Sequence, residues 1–196
     1  MGTANQERGV CDGVAQGVSD AYTTAATKYR PKGETQVLFI AEAPPNSIDR
    51  YFYFEDVEKG DWLWIGLMKV LYAQDWKGTK EERKRKRRWL ARLRDDGFQL
   101  IDAVTEPIEG KSLKRVSRIK LNTDRLLRVI REISPKQIVL IKKTVHDALF
   151  EDLKAAGLPV INSNAIPFPS SGRQRQFHED LSKLKLSRKI FKRNDQ

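Results

Sequence analysis

The stretch Val37–Pro45, VLFIAEAPP, limits the fold more than any other in the chain. Five apolar residues run without interruption into Glu42, an alanine and two prolines. A half-exposed strand would alternate polar and apolar residues. An unbroken run of this length suits a strand buried on both faces, as in a parallel sheet covered by helices. Three later runs have the same character: FQLIDAV (Phe98–Val104) after the turn DDG, QIVLIKK (Gln137–Lys143) after SP, and LPVINS (Leu158–Ser163) after Gly157. Helical patterns separate them. DWLWIGLMKVLYA (Asp61–Ala73) is the most apolar. NTDRLLRVIREI (Asn122–Ile133) has a cap at Asn122 or Thr123 and apolar positions at Leu126, Leu127, Ile130 and Ile133. TVHDALFEDLKAAG (Thr144–Gly157) opens on a Thr cap and ends on Gly. Strands alternating with helices predict an α/β fold, a three-layer α/β/α sandwich around a mainly parallel four-stranded sheet.

Val10, Val14, Val18 and Tyr22 recur every four residues, which predicts an amphipathic lead-in helix within 1–35 that ends at RPKGET. No internal repeat or linker divides the chain, so 196 residues are expected to form one domain. Lysine and arginine outnumber aspartate and glutamate 37 to 26, a net charge of +11. Such an excess speaks for an anionic partner, most simply a nucleic acid. It is densest in KGTKEERKRKRRWLARLRDDG (Lys77–Gly97), a basic helical segment over 77–96 that Trp89 and Leu93 can anchor and that can reach a phosphate backbone. Cys11 is the single cysteine and there are two histidines, His146 and His178. A disulfide framework and a cysteine-held iron–sulfur cluster are excluded, and no metal site is expected, although a carboxylate-bound magnesium stays open. The first residues lack the apolar core of a signal peptide, and no stretch is long enough to span a membrane. The expectation is a cytoplasmic monomer, nucleoid-associated if bacterial.

In a parallel α/β sheet, ligands bind beyond the carboxyl ends of the strands. Glu42 ends the first run there. Partial burial can raise its pKa, and the following prolines hold the loop in a defined shape. Such a carboxylate can position a water or stabilise developing positive charge; the plainer role is to cap a helix or pair with an arginine such as Arg50. Asp102, in LIDAV, ends the second run, and when ionised it can only accept hydrogen bonds. Between them RYFYFED (Arg50–Asp56) carries four consecutive aromatics. Some are core, and others can form a stacking platform for a base. IPFPSSGRQRQFHEDL (Ile166–Leu181) gathers serines, a glycine and two arginines before a helix that starts near Arg175, a donor-rich site for phosphate.

These pieces, in this order, resemble the uracil-DNA glycosylase superfamily over roughly Gln36–Leu181. The family's Gly-Glu-Ala-Pro-Gly type loop reads Ala41, Glu42, Ala43, Pro44, Pro45 here. The stacking aromatic that follows is Phe52 or Phe54, with Tyr51 and Tyr53 behind. The residue that reads the base, usually Asn, is Asp102. The His-Pro-Ser type loop reads Phe168, Pro169, Ser170, Ser171, then Gly172 and Arg173. Three departures stand out. The cysteines that hold an iron–sulfur cluster in many members are missing, the loop histidine is Phe168, and Asn is replaced by Asp102. An ionised Asp102 would repel the O4 of uracil but accept from the amine of cytosine or adenine; a protonated one would suit uracil.

What the resemblance implies is a monofunctional DNA glycosylase without a cofactor. It would bind duplex or single-stranded DNA, flip a uracil or another deaminated or modified base into a pocket, and hydrolyse the N-glycosidic bond. Glu42 would position water and stabilise the sugar cation. Ala43, Pro44, Phe52, Phe54 and Asp102 would hold the base. Phe168, Ser170, Ser171, Arg173 and Arg175 would hold the DNA. A modified cytosine, as in phage DNA, is an alternative substrate. A catalytically silent DNA-binding protein of the same fold and an unrelated RNA- or nucleotide-binding domain are alternative functions.

Overall fold

A computed structural model describes residues 20–46, 50–170 and 172–187. The lead-in helix is described from residue 20: α1 covers 20–28 and includes Tyr22, while Val10, Val14, Val18 and Cys11 lie outside the described residues. The apolar runs form β1 (Val37–Ala41), β2 (Phe98–Asp102) and β3 (Gln137–Leu140), all parallel in the order β2-β1-β3. Between and after them come α2 (Trp62–Tyr72), α3 (Lys80–Lys84), α4 (Lys86–Asp95), α5 (Ser112–Lys120), α6 (Thr123–Ile133), α7 (Lys143–Ala155) and α8 (Gln174–Ser182).

Every residue of β1 is buried, as its unbroken apolar run requires. Alternate side chains serve two cores. Val37, Phe39 and Ala41 face the aromatic segment, α2, α4 and α8. Leu38 and Ile40 face α5, α6 and α7. Helices thus cover both faces of the sheet.

The expected fourth strand is a correction. Leu158–Ser163 makes one isolated bridge, Val160 to Ile138, and Ile166 makes another with Ile141. Pro159 has no N–H to give to a ladder. Beside it the Asn162 side chain does what a strand backbone would do. Its Oδ1 accepts from Leu140 N at 2.9 Å and its Nδ2 donates to Leu140 O at 3.1 Å. The edge of β3 is thereby satisfied by an amide side chain. On the opposite edge, the Tyr53 hydroxyl donates to Leu100 O and accepts from Leu100 N. Both outer strands are closed to further pairing at these points.

Two caps differ from expectation. Asn122 precedes α6 but makes no side-chain cap; its amide donates to Arg118 O. Thr144 lies inside α7, which starts at Lys143, and its hydroxyl points into the site described below. Asp61 is a true cap, accepting from Leu63 N and Trp64 N. The basic segment is two helices broken at Arg85. Leu93 is buried as expected, but so are Leu90 and Lys86.

Candidate functional site

The strand ends converge. Ala41 and Asp102 are register partners, so Glu42 lies one residue beyond Asp102 along the sheet. Around them opens a cavity of about 640 Å³ at the carboxyl edge. Glu42, Ala43, Pro44, Phe52, Asp102, Phe168 and Ser170 all line it. Residues more than 120 positions apart in the chain therefore meet in one cleft.

Close packing brings the last two there. A Cβ on Gly66 of α2 would sit 2.8 Å from the Phe177 ring and 3.3 Å from Pro169. Only glycine lets α8 and the Phe168–Ser170 loop lie this near α2. On the other side, Tyr22 of α1 donates to Pro45 O at 2.9 Å and holds the proline loop.

Glu42 is 7% exposed and fully engaged. Arg115 Nη1 donates to Oε2 at 2.5 Å, Lys142 Nζ donates to the same oxygen, and Thr144 Oγ1 donates to Oε1. Burial alone would raise its pKa. The hydrogen bonds from Lys142 and Thr144 and the charges of Lys142 and Arg115 outweigh burial and hold it below the usual glutamate value. The expected rise is therefore a correction: Glu42 is ionised. The arginine paired with it is Arg115 of α5, not Arg50.

Lys142 reaches Glu42 from a strained backbone, with φ +84° and ψ 138°, two residues beyond β3. A non-glycine residue in that region costs on the order of 1–3 kcal/mol. The conformation is fixed from both sides. Lys142 N donates to Ile166 O at 2.7 Å, and Lys142 O accepts from Val145 N and His146 N.

Asp102 is a different case. Its carboxyl accepts no hydrogen bond among the described residues. Burial and the neighbouring charges of Asp61 and Glu42 push its pKa up to about 7, with Arg125 acting the other way. Near neutrality it is a carboxyl that either donates or accepts, facing the cavity. Arg125 stands behind it and donates to Ala103 O at 2.6 Å.

Other expected site residues lie elsewhere. Phe54 packs on Tyr22 and Tyr51, with ring centroids at 5.7 and 5.2 Å, and is not part of the cavity wall. Of the two candidate stacking rings, Phe52 is the one at the cavity. Arg173 precedes α8 and is exposed, and Arg175 pairs with Glu179 at 2.7 Å. Neither lines the cavity. Ser171 lies outside the described residues.

The sequence reading missed Arg115, Lys142, Asp61 and Trp62, all of which line the cavity. Two of them carried a signal. Leu63, Trp64, Leu67, Met68 and Leu71 form the buried stripe of α2; Trp62 falls off it and is 47% exposed. Lys142 lies two residues beyond β3, a charge near a strand end as Glu42 is at the end of β1. Arg115 gave no comparable signal, because α5 carries three other basic residues around it, Lys114, Arg118 and Lys120.

No group of three or more His, Cys, Asp or Glu among the described residues is arranged to hold a metal ion. No helix among them is long and apolar enough to cross a membrane. No protein-family model matches the chain, and no curated protein matches it in sequence.

Proposed function

We propose that this protein is a DNA glycosylase of the uracil-DNA glycosylase type, which hydrolyses the N-glycosidic bond of a flipped uracil or other deaminated or modified base. The observation that carries this reading is the meeting of an ionised Glu42, an unpaired Asp102 carboxyl, Phe52 and Ser170 around one cavity large enough for a nucleoside. A base lying against Phe52 would present its Watson–Crick edge to Asp102. Protonated, Asp102 donates to a carbonyl such as O4 of uracil; ionised, it accepts from an amine such as that of cytosine. As the bond to the base breaks, positive charge grows on the sugar. The Glu42 carboxylate stabilises that charge. Lys142 and Arg115 keep Glu42 ionised and offer positive charge to the departing base. Ser170 and the adjoining loop amides suit a flanking phosphate.

A second reading draws on the same carboxylate. Both Glu42 oxygens already accept hydrogen bonds, which leaves little capacity to hold a water. This favours a catalytically silent DNA-binding protein with the same cleft.

Labelled oligonucleotides separate the two. Each carries one uracil, hypoxanthine, cytosine or modified cytosine, and alkali cleaves any abasic site formed. Breaks at one base with the wild type, lost in Glu42→Gln, are the expected result. Intact strands on every substrate, with salt-sensitive binding retained, would select the silent binder.

A further inference from the structure

A second cavity, of about 330 Å³, lies outside the cleft just described. Trp76 and Trp89 wall it together with Arg85, Arg88 and Arg92. Helix α4 explains the arrangement. Lys86, Leu90 and Leu93 form its buried face. Arg85, Arg88 and Arg92 follow helical spacing on the opposite face and are exposed.

The charge balance of this cleft is uneven. Its two acids are engaged: Asp75 pairs with Lys69 at 3.6 Å, and Glu82 accepts from Lys77 N and Thr79 N at 2.9 Å in a capping box. Arg92 is held by Asp96 at 2.9 Å and lies over the Tyr72 ring. Arg85 and Arg88 have no side-chain partner among the described residues. Two guanidinium groups without an ion-pair partner among the described residues therefore stand beside a half-buried indole, Trp89, which is fixed by Tyr72 at 5.2 Å and Trp76 at 6.4 Å. Structural arginines on a helix face are ordinarily solvated alone. Here they flank a preformed aromatic wall, the combination that binds a phosphate and a base at once.

The cleft is also tied to the first cavity. Phe52 contacts Trp64 at 5.4 Å, and Trp64 contacts Trp76 at 5.8 Å. Lys86, on the inner face of the same helix, donates to Tyr51 O at 3.1 Å and lies over Trp64. One aromatic column thus separates the two cavities, with Phe52 on one end and Trp89 on the other.

We propose that the Arg85–Arg88–Trp89 cleft is a second nucleic-acid subsite that holds one nucleotide of single-stranded DNA, with its base on Trp89 and its phosphate between Arg85 and Arg88. The proposal shares DNA as ligand with the glycosylase reading but does not depend on any base being released.

The test is fluorescence anisotropy of a labelled oligo(dT) with the full chain over a salt series. The Arg85→Ala/Arg88→Ala double variant is expected to bind about tenfold more weakly, with a log–log salt slope shallower by about 1.4, as two lost single-strand phosphate contacts require. Trp89→Ala is expected to lose about tenfold with the slope unchanged, and Trp89→Phe to recover part of that loss. Thermal melting of each variant checks that the fold is intact. Wild-type affinity and slope in the arginine double variant would overturn the proposal. Base release with unchanged binding in these variants would remove the subsite and keep the glycosylase. A changed slope with no base released from any oligonucleotide would do the reverse.

Discussion

Glu42 and Asp102 terminate neighbouring strands, line one cavity and carry the same chemical group, yet the fold sets them in opposite states. Glu42 is surrounded by donors: a guanidinium, an ammonium and a hydroxyl. Asp102 faces the cavity with burial first and the Asp61 carboxylate next raising its pKa, Arg125 opposing them, and Glu42 adding a smaller rise. Desolvation acts on both; the partners decide the outcome. One group is a fixed charge, the other a group that exchanges its proton near neutral pH. That division suits a site in which one carboxylate stabilises charge and the other reads an edge.

The largest effect should come from the fixed charge. Glu42→Gln keeps the shape and removes the anion, and base release is expected to fall by about 10²–10³-fold in single-turnover assays. Asp102→Asn should cost less than about tenfold on uracil, since an amide N–H donates as the protonated acid does. Equal losses in the two variants would erase the distinction between them.

Stability offers the next contrast. Lys142→Met removes one cation from a buried carboxylate while Arg115 remains. Urea unfolding should show a loss of about 1–3 kcal/mol. Asp102→Asn removes a carboxyl that has no hydrogen-bond partner and should be neutral or stabilising at pH 8.

The pH dependence has opposite signs at the two groups. Asp102 is raised from its ordinary 3.8 to about 7. Across that window the folded protein keeps a proton that the unfolded chain gives up, so stability falls as pH rises, by at most ~1.4 kcal/mol per pH unit. Asp102→Asn should flatten this limb. Glu42 is lowered from 4.5, so its contribution is present above that value and is lost as pH falls below it. Glu42→Gln should flatten the acid limb only. Among the groups that hold Glu42 the smallest expected loss is from Thr144→Val, which deletes one donor and should cost about 1–2 kcal/mol in the same unfolding measurement.

Much of this fold was legible because the signal was local. Unbroken apolar runs marked β1, β2 and β3, and the helix periodicities marked α2, α6 and α7. The fourth strand failed because LPVINS reads as a strand by hydrophobicity, while Pro159 and the Asn162 side chain take over its hydrogen bonding. Hydropathy carries no information on that substitution of side chain for backbone. Glu42 and Asp102 were legible as strand-end carboxylates. Their protonation was not, because it depends on Arg115, Lys142 and Thr144 at Glu42 and on Asp61 at Asp102, partners 41 to 102 residues away in the chain that meet only in the folded protein. Phe52 and Phe54 looked equivalent in sequence; packing against Tyr22 and Tyr51 draws Phe54 away from the cavity.

The most direct test of the division between the two carboxylates is base release from a uracil-containing single strand at pH 6 and at pH 8, in the wild type and in Asp102→Asn. Faster release at pH 6 than at pH 8 is expected for the wild type, and nearly equal rates for Asp102→Asn, whose amide does not titrate. Equal wild-type rates at the two pH values, or the same pH dependence in Asp102→Asn, would contradict it.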